Sequence, residues 1–318
     1  MKSTYDYSSV YLVPKVSSIN SREDVDLSIQ LSKTFKLDVP IIASPMLGIT
    51  SPAIVSGLSE LGGIGIIHRF QALVDIRRSV KTILKTTSNF GVAVGSNGDG
   101  FETAKEMLDY GAKIICIDVA NGYLEKVRGS CNRLSNYISS HNYDCLLMSG
   151  NVVTRIGAEG LYASGVDLIR VGIGNGTLCS TRTVTGVGVG QLTALQNCSE
   201  MKWPGMKIVA DGGIHNSGDA VKALAAGADV LLIGSLFGKC YESEHKGIIA
   251  GMASRRIQDE YYHGKYKSIE GIEKEIVKDV SLDDFISDFT WGMKSAFTYV
   301  GAHNIQELKD NVEFCIIQ

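Results

Sequence analysis

Residues 172 to 182 read Gly-Ile-Gly-Asn-Gly-Thr-Leu-Cys-Ser-Thr-Arg. Glycines at alternate positions (Gly172, Gly174, Gly176) let backbone amides and carbonyls converge on a ligand or an ion that bulky side chains would block. Cys179, among hydroxyls and near Arg182, is placed to act as a nucleophile, with the guanidinium and the backbone dipoles favouring its thiolate. A cysteine taken at random is a small buried hydrophobe, and Cys116, Cys131, Cys145, Cys198, Cys240 and Cys315 are read that way. Two further segments suit a phosphate-bearing ribonucleotide. Asp211-Gly212-Gly213 offers a carboxylate to vicinal ribose hydroxyls and N–H groups to a phosphate, and Gly234-Ser235 offers more such groups. A tight turn accounts for one of these glycines but not for both segments together. Asp118-Val-Ala-Asn121 presents another carboxylate and an amide, and Met46 a support for a flat heterocycle. His68 is a candidate acid or base whose commoner role is that of a hydrogen-bonded structural histidine. Together these residues describe a ribonucleotide beneath a thiol, with the reaction left open.

Such residues need a scaffold that brings them to one place. Apolar runs recur at Val39–Ser44, Gly63–His68, Phe90–Val94, Lys113–Val119, Cys145–Gly150, Leu168–Gly172, Lys207–Ala210 and Val230–Ile233. Their continuous hydrophobicity is what strands buried on both faces require. Helix-patterned segments lie between them, at Pro52–Leu61, Leu73–Leu84, Phe101–Tyr110, Tyr123–Ile138, Ile156–Ala163, Gln191–Ser199 and Gly218–Ala226. The alternation predicts an α/β fold, a closed parallel (β/α)8 TIM barrel forming a single domain over 1–318, with an open doubly wound sheet as the alternative. Every chemistry-bearing segment then sits at the C-terminal end of a strand, on one rim. Residues 242–280, polar and rich in both charges, read as a long excursion after strand eight, either a mobile flap or a surface insertion; as a flap it would exclude water and could supply an acid or base. Ser281 and Asp284 open a last helix, whose stripe of Leu282, Phe285, Ile286, Phe289, Met293, Ala296, Phe297 and Val300 faces the core.

Composition narrows the function. The 318 residues carry 31 Lys+Arg against 34 Asp+Glu, a net charge of −3, which gives no field for steering nucleic acid or an anionic membrane. A hydrophobic content of 44% excludes disorder. Seven cysteines without C-x-x-C spacing argue for a reducing compartment and against structural zinc. With no signal-peptide pattern and no run of ~18 apolar residues, a cytoplasmic protein is expected. Glycine, at 35 residues, exceeds the usual ~7%.

The chain resembles the inosine-monophosphate dehydrogenase / GMP reductase family over essentially its whole length. The matching segments include Tyr5–Pro14, Gly62-Gly-Ile-Gly-Ile-Ile-His68, Gly150-Asn-Val-Val-Thr154, Val171–Arg182, Ala210-Asp-Gly-Gly213, Ile233-Gly-Ser235 and Thr298-Tyr-Val-Gly301. The short helical stretch at 71–88, where dehydrogenases insert a regulatory module, together with Ile117–Tyr123 and Tyr266–Gly271, leans toward the reductase. The resemblance implies NADPH-dependent reductive deamination of GMP to IMP and ammonia, with Cys179 attacking purine C2. Glu270 and Thr181 would protonate the ammonia, Asp211 hold the ribose, and Gly212, Gly213, Gly234 and Ser235 the phosphate. Met46, Met252, Ala253 and Lys267 would contact the nucleotide, Asp118 and Asn121 the cofactor, and carbonyls of Gly172, Gly174 and Cys179 a potassium ion. It also implies a homotetramer. The alternatives are an IMP dehydrogenase without its regulatory module, which would need Arg255 or Arg256 near Cys179, and a catalytically silent nucleotide-binding barrel. Departures from the family pattern include Asn175 in place of Pro, expected to loosen the turn, and Leu47, Ser180, Gly190, Ile249-Ala250 and Lys267. They leave room for a deoxy or modified purine nucleotide as substrate.

Overall fold

The computed structural model describes residues 3–200, 203–262 and 268–317. Three short strands precede the main sheet: β1 (Val10–Leu12), β2 (Ile29–Gln30) and β3 (Lys36–Leu37). The next eight strands close into a parallel barrel. They are β4 (Ile41–Ala43), β5 (Ile64–Ile67), β6 (Gly91–Val94), β7 (Ile114–Ile117), β8 (Leu146–Val152), β9 (Leu168–Val171), β10 (Lys207–Asp211) and β11 (Val230–Ile233). Between them run α1 (Pro52–Glu60), α2 (Leu73–Ile83), α3 (Gly100–Asp109), α4 (Glu125–Ser140), α5 (Arg155–Tyr162), the short α6 (Thr181–Thr185) with α7 (Gln191–Ser199), and α8 (Ser217–Ala225). The fold is the TIM barrel that the alternation predicts. Most predicted strands lose a residue or two at their ends, whereas the Cys145–Gly150 run starts a residue later and continues to Val152.

The continuous hydrophobicity of these strands has a direct structural cause. Alternate residues point inward, and Ile42, Ile64, Ile66, Ala93, Ile114, Cys116, Leu146, Met148, Leu168, Val209, Val230 and Leu232 fill the barrel as one cluster. The outward set, including Ile41, Ile67, Val92, Ile115, Leu147, Ile169, Ile208 and Leu231, packs under the helices. Continuing the period of two past the inward apolar positions puts His68, Asp118, Arg170, Asp211 and Gly234 in the next layer up, at the rim. Local signals fix the helices that hold this arrangement. Ser51, Thr154, Asn216 and Ser281 each accept a hydrogen bond from the N–H three residues on. The expected stops at Gly111, Gly165 and Gly227 take φ of +86°, +81° and +113°.

After β11 the chain crosses the rim before the last barrel helix. Here β12 (Ile248–Ala250) pairs antiparallel with β13 (Glu273–Glu275), and α9 (Arg255–Tyr262) lies between them in sequence. Then α10 (Leu282–Val300) buries Leu282, Ile286, Phe289, Met293, Phe297 and Val300, the stripe read from the sequence. It is followed by α11 (Ile305–Asn311) and β14 (Phe314–Ile316), which pairs antiparallel with β1. Among the described residues, no helix is long and apolar enough to cross a membrane.

Candidate active site

The loop after β9 and the segment before β13 are joined by backbone hydrogen bonds on both sides of Cys179. Ser180 donates to the Glu270 carbonyl at 2.9 Å, and Ile272 donates to the Leu178 carbonyl at 3.0 Å. On its other edge, Glu270 donates to the Ala253 carbonyl and Gly251 donates to the Ile272 carbonyl. This close approach explains Gly271: a Cβ there would lie 2.8 Å from the Ser254 nitrogen. The stitching delivers the Glu270 side chain to the cysteine loop. Thr181 donates its hydroxyl to Glu270 Oε2 at 2.8 Å, and Cys179 Sγ lies 3.2 Å from Thr181 Oγ1. Cys179 is half-buried, whereas Cys116, Cys131, Cys198 and Cys240 are buried, Cys145 is half-buried and Cys315 is exposed. Burial pushes the thiols of Cys116, Cys145, Cys198 and Cys240 up to about 12.

Arg182 does not face the thiol as its spacing suggested. Its guanidinium donates to Asp6, to the Ile173 carbonyl at 3.3 Å and to the Val189 carbonyl, so it fastens the N-terminal segment to the loop. Asn175 does not loosen the turn either. Its amide donates to Gln191 Oε1, and Gln191 Nε2 donates to the Val171 carbonyl at 2.8 Å, a tie that takes over from a proline ring.

Beneath the loop lies a layer of buried charge. Arg170 donates through Nη1 to Asp118 Oδ1 and through Nη2 to Asp211 Oδ2, both at 2.8 Å. Arg170 Nε and Asn151 Nδ2 also reach Asp211 Oδ2, at 3.0 and 2.7 Å, while Arg69 approaches Asp118 Oδ2 at 3.3 Å. Burial alone would raise the Asp118 pKa, but Arg170 and Arg69 outweigh it and hold the carboxyl below its usual range.

His68 is 5% exposed, and its Nδ1 has no hydrogen-bond partner among the described residues, in contrast to the bonded histidine expected. Burial drives its pKa from 6.5 to about 4, against the pull of Asp118. The folded pKa lies below the unfolded one, so the unfolded chain takes up the proton first. Stability from this residue is complete above about pH 6.5 and falls by about 3 kcal/mol as pH drops through the folded value. Urea melts of the parent and of His68→Leu between these limits check this: the variant should lose that part of the slope.

The loops after β10 and β11 form the opposite corner. Gly212 and Gly213 take φ of +92° and +80°, open only to glycine without strain, and lie against Asn175 and Gly176 of the cysteine loop. Ser235 donates to Thr177 Oγ1 at 3.3 Å, and His215 Nδ1 lies 3.4 Å from the same oxygen. Met46 packs its sulfur against Gly234, filling the space a side chain there would need. The Gly172 carbonyl accepts from Asn151 at 2.6 Å. Asn121 is exposed and accepts from the Tyr123 N–H, while Met252 packs beside Phe70 and Ile257. Lys267 lies outside the described residues.

The profile described as "IMP dehydrogenase / GMP reductase domain" matches residues 4–318. The chain belongs to the IMP dehydrogenase / GMP reductase family. GMP reductase 1 of Homo sapiens is 32% identical over 97% of this chain and 94% of its own length. A GMP reductase of Vibrio cholerae is 32% identical over 98% and 94%. The inosine-5'-monophosphate dehydrogenase of Nitrosopumilus maritimus is 34% identical over 70% of the chain, which spans about half of that enzyme (51%). The chain is thus an oxidoreductase of a family that acts on purine nucleotides with NAD(P).

Within this family member, sequence reasoning passed over Arg170, Arg69, Gln191, His215 and Asp6. Arg170 left one signal: a charge at an inward position of a strand otherwise apolar on both faces. The others left none, because their partners are distant in sequence.

Proposed function

We propose that this chain is a GMP reductase, converting GMP and NADPH to IMP, ammonia and NADP⁺ through an adduct between Cys179 and purine C2. The reading rests on one observation, the unbroken hydrogen-bond chain from Glu270 through Thr181 to Cys179. The Thr181 hydrogen is committed to Glu270, so the thiol hydrogen points at the Thr181 oxygen. Moving both protons one step leaves a thiolate and a neutral Glu270, so nucleophile and acid arise together. The thiolate adds to C2, and Glu270 returns the proton through Thr181 to the departing amine, which leaves as ammonia. Bound NADPH would supply the hydride that takes the amine's place at C2. Expulsion of Cys179 then gives IMP, and the thiolate recovers a proton from solvent.

Around this centre, Asp211 turns Oδ1 to the ribose, since Oδ2 already accepts from Asn151 and Arg170. Gly212, Gly213, Gly234 and Ser235 take the phosphate, Met46 supports the base, and Met252 and Ala253 border it; Lys267, outside the described residues, is assigned to the nucleotide from the sequence resemblance alone. Asp118 keeps lone pairs beside those used by Arg170 and Arg69, so it fits the nicotinamide ribose, with Asn121 near it. The Gly172 carbonyl retains one lone pair and, with the carbonyls of Gly174 and Cys179, would hold a potassium ion that orders the loop. A cytoplasmic homotetramer completes the proposal.

NADPH absorbance with GMP, and NADH formation from IMP and NAD⁺, are the deciding measurements. Loss of NADPH with equimolar ammonia is expected; no loss would overturn the reading. Glu270→Gln should lower kcat about 10²-fold while leaving KM for GMP within about twofold, since it removes proton transfer and not binding.

A further inference from the structure

We propose that His215 is a ligand of the nucleotide phosphate and that its protonated form binds the nucleotide more tightly. The inference deepens the nucleotide reading above and rests on it.

Three polar side chains from three different loops meet at one point. Thr177 comes from the cysteine loop, Ser235 from the loop after β11 and His215 from the loop after β10. Thr177 Oγ1 is the shared atom, 3.3 Å from Ser235 Oγ and 3.4 Å from His215 Nδ1. Gly212 and Gly213, in left-handed backbone, keep side chains out of the same corner. Two hydroxyls, bare backbone and an imidazole make a set of donors suited to a phosphate monoester, and the imidazole alone can add charge. His215 is exposed, so it can exchange its proton with solvent while reaching inward.

The charged and titratable groups on the surrounding elements leave that charge to the imidazole. On its own loop and helix are Asp211, turned to Arg170 and Asn151, Asp219, which accepts the His215 N–H at 3.0 Å, and Lys222, whose ammonium is engaged by the Tyr7 carbonyl at 2.9 Å. The cysteine loop carries Cys179, and Arg182, whose guanidinium is engaged by Asp6. Tyr7, buried below Gly213, has its pKa raised by burial and stays neutral. The turn after β11 ends at Lys239.

A phosphate dianion beside the ring stabilises imidazolium, so bound nucleotide raises the pKa of His215. By reciprocity, protonation tightens the nucleotide by the same factor. Affinity is therefore higher with the imidazole protonated and declines once it is neutral. One charge-assisted hydrogen bond at an exposed rim corresponds to about five- to tenfold in Kd.

The test titrates the His215 ring protons by NMR in the full chain, alone and with inorganic phosphate, GMP or guanosine. In parallel, Kd for GMP is measured on the parent and on His215→Gln. Phosphate and GMP should raise the midpoint and guanosine should leave it unchanged. His215→Gln should bind GMP about five- to tenfold more weakly at pH ~6 and equally at pH ~8.5, a difference that cancels the ionisation of the phosphate itself. An unmoved midpoint under saturating phosphate and GMP, or a variant with the parent's pH profile, overturns the proposal. Should the midpoint move while GMP and NADPH give no turnover, the role of His215 stands and the reductase reading falls.

Discussion

Cys179→Ala is expected to lower GMP turnover by at least about 10⁴-fold while GMP still binds within a few-fold of the parent affinity. The size follows from what the thiolate does. Direct replacement of an aromatic amine by hydride offers no stable path, and the covalent adduct divides it into two easier steps. Removal of a nucleophile that acts with an acid–base partner typically abolishes nearly the whole chemical advantage. Binding survives because the groups assigned to ribose and phosphate lie at the end of β10 and in the loops after β10 and β11, joined by the Thr177 hydroxyl, and none of them is the Cys179 side chain. Single-turnover kinetics beside calorimetric binding checks both halves. Turnover within tenfold of the parent would remove Cys179 from the chemistry.

Arg170→Met carries the second large effect, on stability. The Arg170 side chain is 9% exposed and lies between Asp118 and Asp211, at 13% and 17%. Removing it leaves two carboxylates in a confined space with their main counter-charge gone, which costs about 3–5 kcal/mol. The pH dependence changes sign with it. In the parent, Asp118 has a folded pKa below its unfolded value, so its stabilisation is present above the unfolded value and is lost as pH falls through the folded one. In the variant burial prevails, the folded pKa rises above the unfolded value, and the deficit shrinks as pH falls. Thermal melts near neutral pH and near pH ~5 test this, and an unchanged Tm at neutral pH would count against the bridge.

The barrel was legible because its strands must be apolar on both faces, a demand that leaves continuous runs such as Ile114–Ile117 and Val230–Ile233. The cysteine loop was legible because only glycine permits the backbone approach around it. What escaped was pairing across the barrel. Arg170 lies 52 residues from Asp118 and 41 from Asp211, and only closure of the sheet brings them together. Asp6 lies 176 residues from Arg182, and its contact turns a presumed thiolate partner into a structural fastener. Asn175 shows the converse case: a lost proline was visible, but the Gln191 tie that compensates for it was not.

The bonds from Ser180 to Glu270 and from Ile272 to Leu178 have one more consequence. The segment before β13 that carries the acid also runs beside the nucleophile, bonded on both sides of it. Any movement that draws that segment away from the cysteine loop would separate Glu270 from Thr181 as well, so the thiol would lose its proton acceptor as water gained entry. The enzyme would thus work as an interlock: Cys179 has its proton acceptor only while that segment is in place, so the thiolate forms only where water is kept out.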